Sequence, residues 1–248
     1  MISVVALGLS VVALIPAFDS AHSGQSQADT AKSESDRRGL LEVSAVSAKF
    51  TDKLKGVETS SGSEQEITGL SGPEVDISLR NRGSGSATIT KVTAFVSRSE
   101  SIDTCAATGG EFGVTARFSV EIPIGKRPPF TVTTAEDVRF EVKSGENDRF
   151  SLAVGPDPKE AGVTPWIGVV TLRLHDLDGS DLDIGPLALV SAGSDENFYP
   201  SGSSWKIKAK PSNCLRNTAR TVSEVLELPG ITASKEFAAL ERALRSYR

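Results

Sequence analysis

Residues 75–90 read VDISLRNRGSGSATIT, two alternating runs of apolar and polar residues joined by a Gly- and Ser-rich segment. The apolar positions are spaced two residues apart within each run: Val75, Ile77 and Leu79, then Ala87 and Ile89. Successive side chains of a β-strand point to opposite faces, so each run would bury one face and expose the other. The stretch therefore predicts two strands joined by a polar turn at residues 81–86, where the chain reverses direction.

The second run changes phase shortly after the turn. Beyond Ile89 the apolar residues are Val92, Ala94 and Val96, which are offset by one position. One extra residue in a strand restores the buried face after such an offset. We therefore predict a β-bulge near residues 90–91.

The same period of two continues over most of residues 41–210. Further alternating runs occupy residues 118–122, 138–142, 150–154 and 170–174, and no helical run separates them. Roughly eight to ten such strands are typical of an antiparallel β-sandwich. The prediction is a mainly β protein with an Ig-like sandwich at 41–211, and a closed barrel is the alternative.

Composition restricts the class of partner. The net charge is -5 and the pI is near 5.2, with no dense run of Lys or Arg. Binding to nucleic acid requires clustered cations that neutralise phosphates. We therefore expect no nucleic-acid partner.

Residues 2–18, ISVVALGLSVVALIPAF, carry no charge. Seventeen helical residues span about 25 Å, near the lower limit for a membrane-spanning helix. The segment is predicted to be an uncleaved anchor; an atypical signal peptide and a buried helix are the alternatives. The polar residues 19–40 are predicted to be a disordered linker. Either leading alternative places the main domain outside the cytoplasm, membrane-anchored or secreted.

Cys105 and Cys214 are the two cysteines of the chain. In an exported protein they are expected to form a disulfide, which would close about 110 residues and stabilise the fold by about 4–5 kcal/mol. Two unpaired, small apolar side chains are the alternative.

Residues 212–248 change to a helical period, with two apolar stripes separated by Pro229-Gly230 and with Ser234 as a candidate N-cap. This C-terminal tail is predicted to be a helical hairpin. Its apolar stripes would pack on the chain's own sandwich or, alternatively, dock on a partner or a membrane surface.

The segment HDLDGSDLD at 175–183 concentrates acidic residues around a glycine. Its carboxylates offer the oxygen ligands that Ca²⁺ takes, although the spacing departs from an EF-hand loop. The alternative is a β-hairpin turning at Asp178-Gly179, with the acids facing water. The candidate metal ligands are Asp176, Asp178, Asp181 and Asp183. No other cofactor is indicated.

Catalytic patterns are sparse. The chain has no G-x-S-x-G motif, and the only candidate bases for a nucleophile are His22 in the linker and His175 at a strand end. We therefore expect a non-enzymatic protein. Binding residues are instead expected on or beside long loops. The aromatic candidates are Trp166, Phe198, Tyr199 and Trp205, and for Trp205 packing at the head of a final strand is favoured over stacking on a sugar.

The strand, Asn-x-Gly turn and returning strand at 75–90 resemble bacterial extracellular Ig-like and fibronectin-like sandwich modules. The resemblance is carried by Leu79, Asn81, Gly83, Ala87 and Ile89. It implies a module that adheres, spaces or binds. The expected function is therefore a membrane-tethered module that binds a protein or glycan at the cell surface. The alternative is a structural or accessory subunit of an envelope complex that docks through the C-terminal helices.

Overall fold

The computed structural model describes residues 38–60, 63–103, 105, 119–134, 138–156, 164–193 and 197–248. Within this part the chain is mainly β, as the period of two predicted. The predicted anchor at 2–18 and most of the predicted linker lie outside the described residues. None of the described helices has the length and apolar character needed to cross a membrane.

In chain order, the described part of the chain has a series of strands, then a helix, one more short strand, a second helix and a final 3-10 turn. The strands are β1 (Leu41–Ser60), β2 (Ser63–Asn81), β3 (Ala87–Ser101), β4 (Ser119–Ile122), β5 (Phe130–Thr133), β6 (Phe140–Val142), β7 (Asn147–Pro156), β8 (Trp166–Asp176), β9 (Asp181–Ser191), β10 (Phe198–Ser201), β11 (Ser204–Ile207) and β12 (Thr232–Ala233). The helices are α1 (Asn213–Leu226), α2 (Lys235–Leu244) and a final 3-10 turn (Arg245–Tyr247).

The strands form two main sheets that face each other across a core. The first sheet has the order β1-β2-β7-β4, and the second has the order β12-β9-β8-β3-β5, with β6 also paired to β3. Strands β10 and β11 form a separate hairpin. Most pairs are antiparallel, but β4–β7 and β12–β9 are parallel. The segment after 212 thus contributes a strand to the second sheet as well as helices.

The stretch at 75–90 forms the end of β2, a turn and the start of β3. Val75, Ile77, Leu79 and Ile89 are fully buried, as their spacing predicted. The register between β3 and β8 shifts between Ile89 and Lys91, which confirms the predicted bulge. The bulge returns the next apolar side chains of β3 to the core.

The core between the sheets is largely aliphatic. It contains the inward side chains of β2, β3, β7, β8 and β9, together with Trp166. An added Cβ at Gly168 would lie 2.1 Å from the Trp166 ring. The glycine is therefore required for the indole to lie flat against its own strand.

A second core lies on the opposite side of the second sheet. Ile167 and Val169 of β8 and Ala188 and Val190 of β9 pack there against α1, α2 and the β10–β11 hairpin. The helices contribute Leu215, Ala219, Val222, Val225, Phe237, Leu240 and Leu244. Their apolar stripes therefore pack on the chain's own sheet, which was one of the two alternatives for the tail.

A disulfide and a helix N-cap hold elements of this second core in place. Cys105 and Cys214 form a disulfide, as predicted, and so join the segment after β3 to the start of α1. The Ser234 side chain accepts a hydrogen bond from the Phe237 N–H at 3.1 Å, which confirms it as the N-cap of α2.

Candidate ligand-binding face

The outer surface of the second sheet is divided into two halves. Ile167 and Val169 lie in the half that the helices cover. Farther along β8, the same face carries Thr171, Arg173 and His175, which are partly or fully exposed. The side chains of the uncovered half define what we call the outer sheet face. Its members are Lys91, Thr93 and Phe95 of β3; Thr131 and Thr133 of β5; Thr171, Arg173 and His175 of β8; and Asp181 and Asp183 of β9.

Phe95 lies in the row of this face nearest the helix-covered half and is 45% exposed. It stands opposite Thr131 of β5 on one side and Thr171 of β8 on the other. Residues directly opposite each other in an antiparallel pair share a face and lie about 4.5–5.5 Å apart. The phenyl ring is therefore framed by a threonine on each neighbouring strand.

A chain of hydrogen bonds crosses the strands beside this ring. His175 Nδ1 lies 2.8 Å from Asp181 Oδ1, and His175 Nε2 lies 2.9 Å from Thr93 Oγ1. Thr93 Oγ1 is in turn 3.4 Å from Thr133 Oγ1. These contacts connect side chains of β9, β8, β3 and β5 in one continuous series.

The charged groups of the face are largely paired with one another. Arg173 donates to both carboxylate oxygens of Asp183, at 2.7 and 2.9 Å. This pairing holds the pKa of the Asp183 carboxyl below its ordinary value. Lys91 and Arg173 balance the formal charges of Asp181 and Asp183 when His175 is neutral. On this count, which takes histidine as uncharged, the formal charges of the face sum to zero.

The order of Asp181, His175 and Thr93 resembles the carboxylate–imidazole–hydroxyl chain of acyl-transfer enzymes. Such enzymes also need N–H donors aimed at the oxyanion that develops. Thr93 is in the middle of β3, which pairs with β5 and β8 on its two sides. The backbone N–H groups around it are used in these ladders and are not directed at a position beside the Thr93 hydroxyl.

The four acidic residues proposed as calcium ligands serve separate contacts. Asp176 is buried and accepts from the Thr88 N–H at 3.1 Å, whereas Asp178 accepts from the Ser180 N–H at 3.1 Å. Asp181 and Asp183 contact His175 and Arg173 as described above. Burial raises the pKa of the Asp176 carboxyl. The predicted hairpin is present, because β8 and β9 pair across a turn in which Gly179 has a φ of 87°.

Among the described residues, one cluster of three His, Cys, Asp or Glu side chains is compact enough to share a metal ion. It consists of Asp103, Cys105 and Cys214. Its two sulfur atoms are bonded to each other, so they are not free to bind a metal. The calcium hypothesis thus remains a prediction, and the contacts favour the turn.

Three of the four aromatic candidates lie in the cores. Trp166 is 3% exposed and donates to Ser99 Oγ, while Trp205 is 6% exposed and donates to the Glu236 carbonyl. Phe198 is fully buried, with its ring centre 5.5 Å from that of Trp205. These three side chains are therefore buried, with Trp205 near the start of the short strand β11, and a role for them in ligand binding stays a prediction.

Tyr199 is the fourth aromatic candidate and is partly exposed. The ammonium groups of Lys206 and Lys208 lie 5.8 and 5.9 Å from its ring centre. The ring is therefore already in contact with two cations of its own chain, and it lies on the β10–β11 hairpin, outside the outer sheet face.

Sequence reasoning missed Phe95 and Thr93 as functional candidates. A signal for Phe95 was present, because a bulge that turns Ala94 and Val96 inward leaves Phe95 facing outward. Thr93 had no such signal, since its contact with His175 joins residues 82 positions apart and depends on the register of β3 and β8.

The chain matches no protein-family model and no curated protein. One solved structure that it resembles is an X-ray structure of a Northeast Structural Genomics Consortium target, with 11% sequence identity over 65% of this chain and 92% of that chain. The TM-score of that match is 0.18, a value at which a shared fold does not follow.

Proposed function

We propose that this protein is a non-catalytic binding module of the cell envelope. In this proposal it is an Ig-like or fibronectin-like sandwich tethered outside the cytoplasm by residues 2–18 and the linker 19–40. It binds a protein or a glycan through the outer sheet face. The observation that carries the proposal is Phe95, exposed on this face beside side chains of which several are already fixed by hydrogen bonds.

A single exposed apolar residue is common on soluble proteins, so exposure alone identifies no site. The surroundings of Phe95 distinguish it. The ring lies on a strand that is paired on both sides, and rigid elements position binding groups more accurately than loops do. The neighbouring His175, Arg173 and Asp183 are held in place before any ligand arrives, which lowers the entropy cost of binding.

The alternative function, docking through the C-terminal helices, has less support. The apolar side chains of α1 and α2 are buried against the second sheet. A partner would have to bind their polar faces or displace them from the core.

The test is capture of envelope material by the immobilised full chain, with the bound protein and bound carbohydrate quantified separately. Phe95→Ala should reduce the captured amount, because it removes the exposed aromatic ring of the face. Leu40→Ala is the matched control, since Leu40 is 62% exposed and precedes β1 of the other sheet. Equal capture by wild type and Phe95→Ala would contradict the proposal.

The location of the main domain is tested independently. Protease added to intact cells should cleave the described domain if it lies outside the cytoplasm. Full protection in intact cells, with cleavage after lysis, would contradict the tethered arrangement.

A further inference from the structure

We infer that the ligand of the outer sheet face is a neutral glycan, one of whose sugar rings stacks on Phe95. This inference rests on the proposed function, because it names the class of ligand that the same face binds.

The apolar area of the face is small. Among the described residues, the large apolar side chains that are exposed are Leu40, Phe95, Leu177 and Leu228, and of these only Phe95 belongs to the outer sheet face. Stable protein interfaces bury roughly 800 Å² on each partner around a desolvated apolar centre. One phenyl ring surrounded by threonines and charged groups offers much less apolar surface, but it matches the C–H face of one sugar ring.

The charges of the face favour a neutral ligand. The guanidinium of Arg173 is committed to Asp183, and Asp181 contacts both His175 and, at 3.8 Å, Arg173. An anionic glycan would have to compete with Asp183 for Arg173. A neutral glycan requires no such exchange, because its hydroxyl groups both donate and accept hydrogen bonds.

The hydrogen-bonding groups stand where a stacked sugar would present its hydroxyls. Thr131 and Thr171 lie on either side of Phe95 in the register, and Thr133, Thr93 and Arg173 form the next row. Positions on one face of a strand repeat every two residues, about 6.6–6.8 Å, and neighbouring strands lie about 4.7–4.9 Å apart. A ring over Phe95 is therefore within reach of both threonines and of the adjacent row.

The polar atoms of that row are oriented by their own partners. His175 in the neutral form has one nitrogen that donates and one that accepts. With Nδ1–H donating to Asp181, Nε2 accepts from the Thr93 hydroxyl, which leaves a lone pair of Thr93 for Thr133 or a ligand. Such preset donors and acceptors select hydroxyl groups in particular positions, which is how a glycan site obtains specificity.

The inference is tested by calorimetric titration of the full chain with soluble oligosaccharides. The probes are neutral hexasaccharides of the cellulose, chitin, mannan and maltose series, with oligogalacturonate and heparin oligosaccharides as anionic comparators. We expect at least one neutral series to bind, and Phe95→Ala to weaken that binding by about tenfold or more through loss of the stacked ring. Phe95→Tyr should retain most of the affinity, whereas Phe95→Leu should not.

Thr131→Val and Thr171→Val supply a second test. Valine has nearly the shape of threonine and favours strands, so the fold is retained while the hydroxyl is lost. Each substitution should weaken glycan binding several-fold, and Leu40→Ala should leave it unchanged. Thermal unfolding of every variant verifies that the fold persists.

Two results would overturn the inference: no neutral series binds, or a series binds equally well to Phe95→Ala. A Phe95-dependent capture of envelope protein, with no carbohydrate bound, would overturn the glycan assignment but leave the proposed binding function intact. Capture that is independent of Phe95 would overturn both.

Discussion

Asn81 connects three segments at one end of the sandwich and is fully buried. Its Nδ2 donates to the carbonyls of Gly85 and Val142, at 2.8 and 2.9 Å. Its Oδ1 accepts from the N–H groups of Leu40 and Gly83, both at 2.9 Å. All four hydrogen-bonding positions of the amide are therefore used, and the perturbation that tests this role is Asn81→Asp.

The substitution preserves the shape of the side chain but replaces two donated hydrogens with an oxygen. That oxygen would lie beside the carbonyls of Gly85 and Val142, which would lose their donor. Two lost hydrogen bonds cost about 1 kcal/mol each, and an unpaired buried charge adds further cost. We expect the free energy of unfolding to fall by about 3–5 kcal/mol at neutral pH, a decrease in Tm of roughly 10 °C.

The effect should depend on pH. Burial and the two carbonyls disfavour the ionised form, so the introduced carboxyl should have a raised pKa in the folded state. Its protonated form can donate one hydrogen bond, and the loss of stability should shrink as pH falls through that raised pKa.

The assay is urea unfolding followed by the fluorescence of Trp166 and Trp205, which lie in the two different cores. Asn147→Asp is the matched control, because Asn147 is exposed at the start of β7. A loss of less than about 0.5 kcal/mol for Asn81→Asp, or one equal to that of the control, would refute the reasoning.

Three further predictions concern other parts of the fold. Reducing the Cys105–Cys214 disulfide, which spans 109 positions, should lower the free energy of unfolding by about 4–5 kcal/mol in urea titrations, and an unchanged midpoint would contradict this. Glu241→Gln should lower the free energy of unfolding by about 1–2 kcal/mol at neutral pH. Glu241 is buried beside Arg245, and the hydrogen bonds that Arg245 donates lower the pKa of the Glu241 carboxyl. A carboxyl with a lowered pKa in the folded state stabilises the protein above its unfolded-state pKa, and this contribution is lost as pH falls through its folded-state pKa. The free energies of unfolding of wild type and Glu241→Gln should therefore converge in acid. Parallel pH profiles of the two proteins would argue against this role of Glu241. Millimolar Ca²⁺ should produce no binding heat in calorimetry, since Asp183 is paired with Arg173, and a saturable signal would restore the calcium hypothesis.

Local features of the fold were predictable from the sequence. The buried residues of 75–90, the bulge after Ile89 and the turn at Asp178-Gly179 each depend on a few neighbouring residues. The period of two and the turn preferences of Gly and Asp act within such short segments. The sequence therefore contains enough information to place them.

Features that depend on strand order were not predictable in this way. The parallel pairing of β4 with β7 and the insertion of β12 beside β9 leave no local pattern. The contact between Thr93 and His175 likewise requires the register of two distant strands. Such contacts arise from long-range packing, on which a single alternating run carries no information.

The aromatic candidates show a related limit. Trp166 and Trp205 stand next to long Gly- and Pro-containing segments, which made them candidates for ligand binding, although Trp205 was also expected to pack at the head of a strand. Both side chains are buried in a core. There the Trp166 N–H donates to Ser99 Oγ, and the Trp205 N–H donates to the Glu236 carbonyl. Buried tryptophan usually needs such a partner, and only the fold reveals whether one is present.

Binding through the outer sheet face is measured by hydroxyl-radical footprinting of the full chain with and without envelope extract. We expect oxidation of Phe95 to fall when ligand is present, while oxidation of Leu40, which is exposed just before β1 of the other sheet, stays the same. Unchanged oxidation of Phe95 under conditions in which the chain demonstrably captures envelope material would contradict binding through this face.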